Sequence, residues 1–174
     1  MAKTELTTLA EKWLIKRAIK NSERFALEVG IGKGRCDFIT SKLNFKNMRI
    51  PEITCYEIKV SVSDFKSQNG HNLVGDHNYY VLSQEVLDYI KSDKSLSNVY
   101  FPDEPNIYQN SGVILVKKNG LTIIRESTKN PYCRLTFEDR ITTLDNMLMS
   151  WTTGSMSKYL GRYGIRLRNE EQNE

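Results

Sequence analysis

The run Ile53-Thr54-Cys55-Tyr56-Glu57-Ile58-Lys59-Val60 constrains the fold more than any other stretch of the chain. It is rich in β-branched and aromatic residues, as a buried strand is, yet it carries an acid and a base two positions apart. A buried strand needs partners on both edges and cover on both faces, and the flanking sequence supplies candidates. Upstream, residues 25–29 and 35–40 read as two strands joined by a turn at Gly32-Lys33-Gly34. Before them, residues 1–24 predict a helix, with Leu6, Leu9, Trp13 and Arg17 on one stripe and Ala10, Leu14 and Ala18 beside it. Its exit is basic, through Lys16, Arg17, Lys20 and Arg24, which suits a helix C-terminus. Gly30-Ile31-Gly32-Lys33-Gly34 lacks the Gly-Lys-Ser/Thr ending of a phosphate loop, so it is a turn.

Downstream, Ser63 is the expected N-cap of a short helix stopped at Gly70, and residues 70–77 read as a loop. Residues 78–82 predict a strand, and Ser83 caps a helix to about Ser92 through Val86, Leu87 and Ile90. After a loop holding Pro102 and Pro105, residues 113–118 and 121–126 flank Asn119-Gly120, a strong hairpin signal. Thr136 with Asp139 has capping-box spacing. It opens a helix on which Phe137, Ile141, Leu144, Leu148 and Trp151 keep helical spacing. The order predicts an α/β (α+β) fold, a mixed sheet covered by helices.

The 174 residues suit one domain. Residues 1–92 form the expected core, and 93–174 an added β-hairpin and C-terminal helix packed on it. No stretch approaches the roughly 20 apolar residues of a membrane span, and the start has no apolar signal core. The expectation is therefore a protein that is neither secreted nor membrane-integral. Cys36, Cys55 and Cys133 lie far apart without a CxxC pair, which argues against a disulfide framework or cysteine zinc site and fits a reduced cytoplasm. Twenty-five Lys plus Arg against 21 Asp plus Glu give +4, which permits an anionic partner without naming one.

The chemistry centres on Asp37, at the start of the second strand, and on Glu57 and Lys59. Residues two apart on a strand share a face, so Glu57 and Lys59 project together, and Asp37 joins them if its strand is the neighbour. Two carboxylates suit Mg²⁺, which keeps waters for phosphate oxygens. A metal there lowers the pKa of an attacking water, and a lysine balances growing negative charge. By spacing alone, a solvated strand face of opposite charges is the favoured reading of the pair. Two acid-x-Lys triplets occur, Glu57-Ile58-Lys59 and Asp64-Phe65-Lys66, and roughly two arise by chance.

Three segments carry a resemblance. Gly34-Arg35-Cys36-Asp37-Phe38, Tyr56-Glu57-Ile58-Lys59-Val60 with Ser63-Asp64-Phe65, and Asp76-His77-Asn78-Tyr79-Tyr80-Val81 are together similar to small bacterial and phage members of the PD-(D/E)XK nucleases, including ones associated with DNA repair. The resemblance covers about residues 5–92 and implies a restriction-endonuclease-like core and a Mg²⁺- or Mn²⁺-dependent DNA nuclease. It implies that Asp37, Glu57 and the Ile58 carbonyl bind the metal, and that Lys59 positions or activates water. Many relatives add a glutamate from the first helix, here Glu11, although Thr8-x-x-Glu11 also fits a capping box. Glu28 is the alternative fourth acid. Cys36 stands where the namesake proline would precede the aspartate.

For nucleic-acid contact the candidates are Lys66, Gln68 and His71 after the catalytic strand, and Lys158, Arg162 and Arg166 near the C-terminus, interleaved with Tyr159 and Tyr163. Expected partners are DNA, a second copy of the chain, or a protein bound through residues 93–174, and no membrane. The alternative function is a catalytically inactive nuclease-fold protein of a phage or mobile element that binds DNA or inhibits a host defence protein.

Overall fold

A computed structural model describes residues 4–32, 34–42, 51–67, 71, 73–100 and 110–165. Its elements in chain order are α1 (Glu5–Lys20), β1 (Arg24–Ile31), β2 (Gly34–Lys42), β3 (Glu52–Lys59), α2 (Val62–Lys66), β4 (His77–Leu82), α3 (Gln84–Ser92), α4 (Lys94–Tyr100), β5 (Gly112–Lys117), β6 (Gly120–Arg125), α5 (Phe137–Thr152) and α6 (Ser155–Arg162). The six strands lie in one sheet in sequence order. Strands β1, β2 and β3 form an antiparallel meander. Pairing turns parallel from β3 to β4 and from β4 to β5, where helices make the crossovers. It returns to antiparallel at the β5–β6 hairpin. The fold is α/β, with a mixed sheet between helical layers.

Alternation along β4 and β5 assigns the two faces. Tyr79, Val81, Ile114 and Val116 pack in the cluster that holds Ala10, Leu14, Ile15 and Ala18 of α1. Tyr80, Leu82, Val113 and Leu115 pack instead with Phe65 of α2 and with Val86, Leu87 and Ile90 of α3. Because cross-strand neighbours share a face, Phe38 and Tyr56, paired in register, belong to the α1 side. Asp37, Glu57 and Lys59 then belong to the side of α2 and α3.

Several local expectations shift. The first helix is capped by Thr4, whose side chain accepts from the Thr7 amide, so Thr8 and Glu11 lie inside the helix and form no capping box. The cap of α2 is Ser61 and not Ser63: Ser61 has extended backbone directly after β3, and its Oγ accepts from the Asp64 amide. Gly70, its expected stop, lies outside the described residues, as do Pro102 and Pro105. Helix α4 fills part of the stretch expected as loop, with Asp93 Oδ1 accepting from the Ser95 and Leu96 amides. In the second hairpin the strands end at Lys117 and restart at Gly120, one residue earlier than expected.

Thr136 and Asp139 form the expected capping box at α5. The helix is nevertheless rotated from the expected apolar stripe. Phe137, Ile141 and Leu148 are exposed, whereas Thr143 and Met147 are buried. Two polar anchors fix the rotation. Arg140 donates to both carboxylate oxygens of Asp76, and Trp151 Nε1 donates to the Phe25 carbonyl at 2.7 Å. Positions 140, 143, 144, 147 and 151 therefore form the inward stripe. Among the described residues no helix is long and apolar enough to cross a membrane.

Candidate active site

The β2–β3 ladder ends at the pair Phe38 and Tyr56, and the next residues in register are Asp37 and Glu57. There the backbone pairing gives way to a side chain: Asp37 Oδ2 accepts from the Ile58 amide at 2.8 Å. A strand residue aims its N–H and C=O at the same neighbour, so the Ile58 carbonyl also points toward β2, past the last ladder pair. The opening between the strands is thus lined by a carboxylate and a backbone oxygen.

Glu57 is 1% exposed, and neither of its carboxylate oxygens has a hydrogen-bond partner. Burial pushes its carboxyl up to about 10, the nearby Asp37 charge adds to the rise, and the Lys59 ammonium only partly opposes it. A buried carboxyl without a donor is costly when ionised; it keeps a proton or meets a cation. Lys59 is also buried, with Nζ 3.5 Å from Oδ1 of the half-exposed Asp64 on α2. Asp64, the acid of the second acid-x-Lys triplet, thus contacts Lys59 of the first.

Asp37, Glu57 and Lys59 are therefore brought together, but Glu11 is not among them. It lies on α1, on the opposite side of the sheet, where its buried carboxylate accepts from the Tyr163 hydroxyl. The helix-borne acid is used to close the core against the end of α6. Glu28 stands across from Asp37, between the pairs Leu27–Phe38 and Val29–Cys36. Its backbone is left-handed, with φ 56°, and its carboxylate pairs with Arg35.

Both ring nitrogens of His71 are engaged within the protein. Nε2 lies 3.0 Å from the Phe65 carbonyl, to which it donates, and Nδ1 lies 3.1 Å from the hydroxyls of Tyr80 and Tyr100. Burial holds its pKa below the ordinary histidine value. This ring joins α2, β4 and α4; no spacing in the sequence signals such a cluster. Lys66 is exposed, with Nζ 4.6 Å from the centre of the Tyr89 ring. Lys158 and Arg162 are exposed on α6. Gln68 and Arg166 lie outside the described residues.

The residues present fit a small, oxygen-seeking cation. The orphaned Glu57 carboxyl lies beside Asp37, and the Ile58 carbonyl faces the same opening. Among the described residues no group of three or more His, Cys, Asp or Glu side chains is arranged to hold a metal ion. The chain would therefore supply two carboxylates and a carbonyl, and water the rest, a division that suits Mg²⁺.

No protein-family model and no curated protein matches this chain. Among solved structures, a protein of unknown function from Silicibacter pomeroyi is similar over 92% of this chain and 94% of its own, with 14% sequence identity and a TM-score of 0.56. That likeness establishes a shared fold.

Proposed function

We propose that the protein is a Mg²⁺- or Mn²⁺-dependent DNA nuclease with a restriction-endonuclease-like core of the PD-(D/E)XK type. The observation that carries the reading is the buried, donor-less Glu57 carboxyl beside Asp37 at the point where β2 and β3 part. Asp37 and Glu57 would hold the ion, assisted by the Ile58 carbonyl. When bound, such an ion polarises a phosphoryl oxygen and lowers the pKa of an attacking water. Lys59 places a positive charge on the same strand face, where it orients that water and balances the negative charge growing on the phosphate. Asp64 holds the Lys59 ammonium from the solvent side. Glu57 must release its proton to accept a cation, so metal affinity rises with pH.

The experiment is cleavage of DNA by purified wild type, Glu57→Ala and Lys59→Ala with Mg²⁺ or Mn²⁺, alongside calorimetric titration of the metal. Each substitution should reduce cleavage by roughly 10²-fold or more, and Glu57→Ala should also remove metal binding. Unchanged cleavage by both variants would sink the proposal. Absence of metal affinity together with tight binding of DNA or a host protein would favour the inactive, binding-only alternative.

A further inference from the structure

A cleft opens where α5 and α6 meet the β1–β2 hairpin. It has a volume of about 450 Å³ and is lined by Glu28 and Arg35 of the hairpin, Asn146, Ser150 and Thr153 of α5 with its C-cap, and Tyr159 of α6. Its placement follows from the strand pleat. Arg35 and Asp37 lie two apart on β2, share a face and are about 7 Å apart along the strand. Glu28 is the cross-strand neighbour of Asp37. Two residues of the cleft, Glu28 and Arg35, are thus strand neighbours of Asp37.

We infer that this cleft receives an unpaired base of single-stranded nucleic acid. The inference rests on the nuclease reading for its connection to the carboxylates and deepens that reading by naming the form of the substrate. Tyr159 supplies an aromatic wall: its ring stacks on Tyr163 at 6.5 Å with 20° between planes, and the Arg162 guanidinium lies 5.6 Å from its centre. Stacking on such a ring tolerates any base, provided the base is out of a duplex. Asn146 and Ser150 offer donors and acceptors to a base edge.

The charges divide the ligand between interior and rim. Glu28 disfavours a phosphate inside the cleft, but its carboxylate accepts from an exocyclic amine, as acids do from cytosine. Arg35, ion-paired with Glu28, and the exposed Lys158 and Arg162 of α6 are the cations offered to the phosphates that flank the base. The left-handed Glu28 backbone, in the middle of a strand and on a residue other than glycine, is the kind of conformation retained where a site needs it. The Glu28 carboxylate pairs with Arg35, and both residues line the cleft.

The test is fluorescence-anisotropy binding of labelled twelve-nucleotide oligodeoxycytidylate, oligothymidylate and a duplex of equal length, in EDTA so that no cleavage occurs. Single-stranded oligodeoxycytidylate should bind tightest. Tyr159→Ala should weaken it roughly tenfold, the loss of about one stacked base, and Tyr159→Phe should retain it. Arg35→Gln, on an exposed residue, should weaken both single strands, and Glu28→Gln should erase the preference for cytidylate over thymidylate. Equal or tighter duplex binding, or Tyr159→Ala and Arg35→Gln both binding like wild type, overturns the inference. The two readings fail separately: cleavage that depends on Glu57 with binding indifferent to Tyr159 removes only the cleft, and the converse removes only the nuclease.

Discussion

Glu57→Gln probes the electrostatics of the site through folding alone. In the protein without metal, burial first and Asp37 second raise the Glu57 carboxyl from 4.5 to about 10. At any pH between those values the folded chain holds a proton that the unfolded chain has released. Stability therefore falls as pH rises through that window. Below about pH 4 both states are protonated and the penalty disappears; above about pH 10 it is complete. Between pH 4.5 and 7 the accumulated loss is about 3 kcal/mol, at 1.36 kcal/mol per pH unit. Glutamine does not titrate, and the cost of burying its amide is a pH-independent offset of about 1–3 kcal/mol. The stability of Glu57→Gln relative to wild type should thus increase by about 3 kcal/mol on going from pH 4.5 to 7. Urea denaturation in EDTA at several pH values measures this directly. Adding Mn²⁺ at pH 7 should stabilise wild type and leave Glu57→Gln unmoved. A difference between the two proteins that stays flat with pH, to within about 0.5 kcal/mol, would refute the argument.

Two further perturbations address the frame around the site. Arg140→Ala leaves the buried Asp76 carboxylate without its two guanidinium bonds and should cost about 3–5 kcal/mol in urea denaturation. Burial raises the Asp76 pKa, but the Arg140 bonds outweigh it and hold the carboxyl below 3.8. This contribution is present above pH 3.8 and is lost as pH falls further, so wild type and variant should converge in acid. Gly112→Ala would place a Cβ 2.2 Å from the Tyr79 ring and 2.8 Å from the Ser127 amide nitrogen. It should lower stability by about 1–3 kcal/mol, read as a reduced Tm.

The elements visible in the sequence were those whose signals are local. Thr136 and Asp139 cap one helix turn between them, and Ser83 accepts from the Val86 amide as its spacing required. The β-branched run of β3 and the turn at Gly32 likewise need only their immediate neighbours. The rotation of α5 was not legible, because it depends on Asp76 and Phe25, 64 and 126 residues from their partners Arg140 and Trp151. The same limit governs the site. Alternation on β3 paired Glu57 with Lys59, and the hairpin brought Asp37 alongside. The Glu11–Tyr163 contact is not legible, because the two residues are 152 positions apart. His71 looked like a loop residue because two tyrosines from different elements, Tyr80 and Tyr100, must converge before its ring has a purpose.

The contact between Glu11 and Tyr163 has a consequence for the order in which the protein can be made. Each strand pairs with the one synthesised just before it, so the sheet can be assembled in the order in which it leaves the ribosome. The Glu11 carboxylate cannot be completed that way, because its phenol donor is 152 residues away. At 5–20 residues per second this is a wait of roughly 8–30 s. Closing so long a loop adds only slowly to the entropic cost, so the delay is set by translation. A nascent chain that ends before Tyr163 lacks this hydroxyl contact to the buried Glu11. The contact thereby couples the core face of α1 to a residue made 152 positions later.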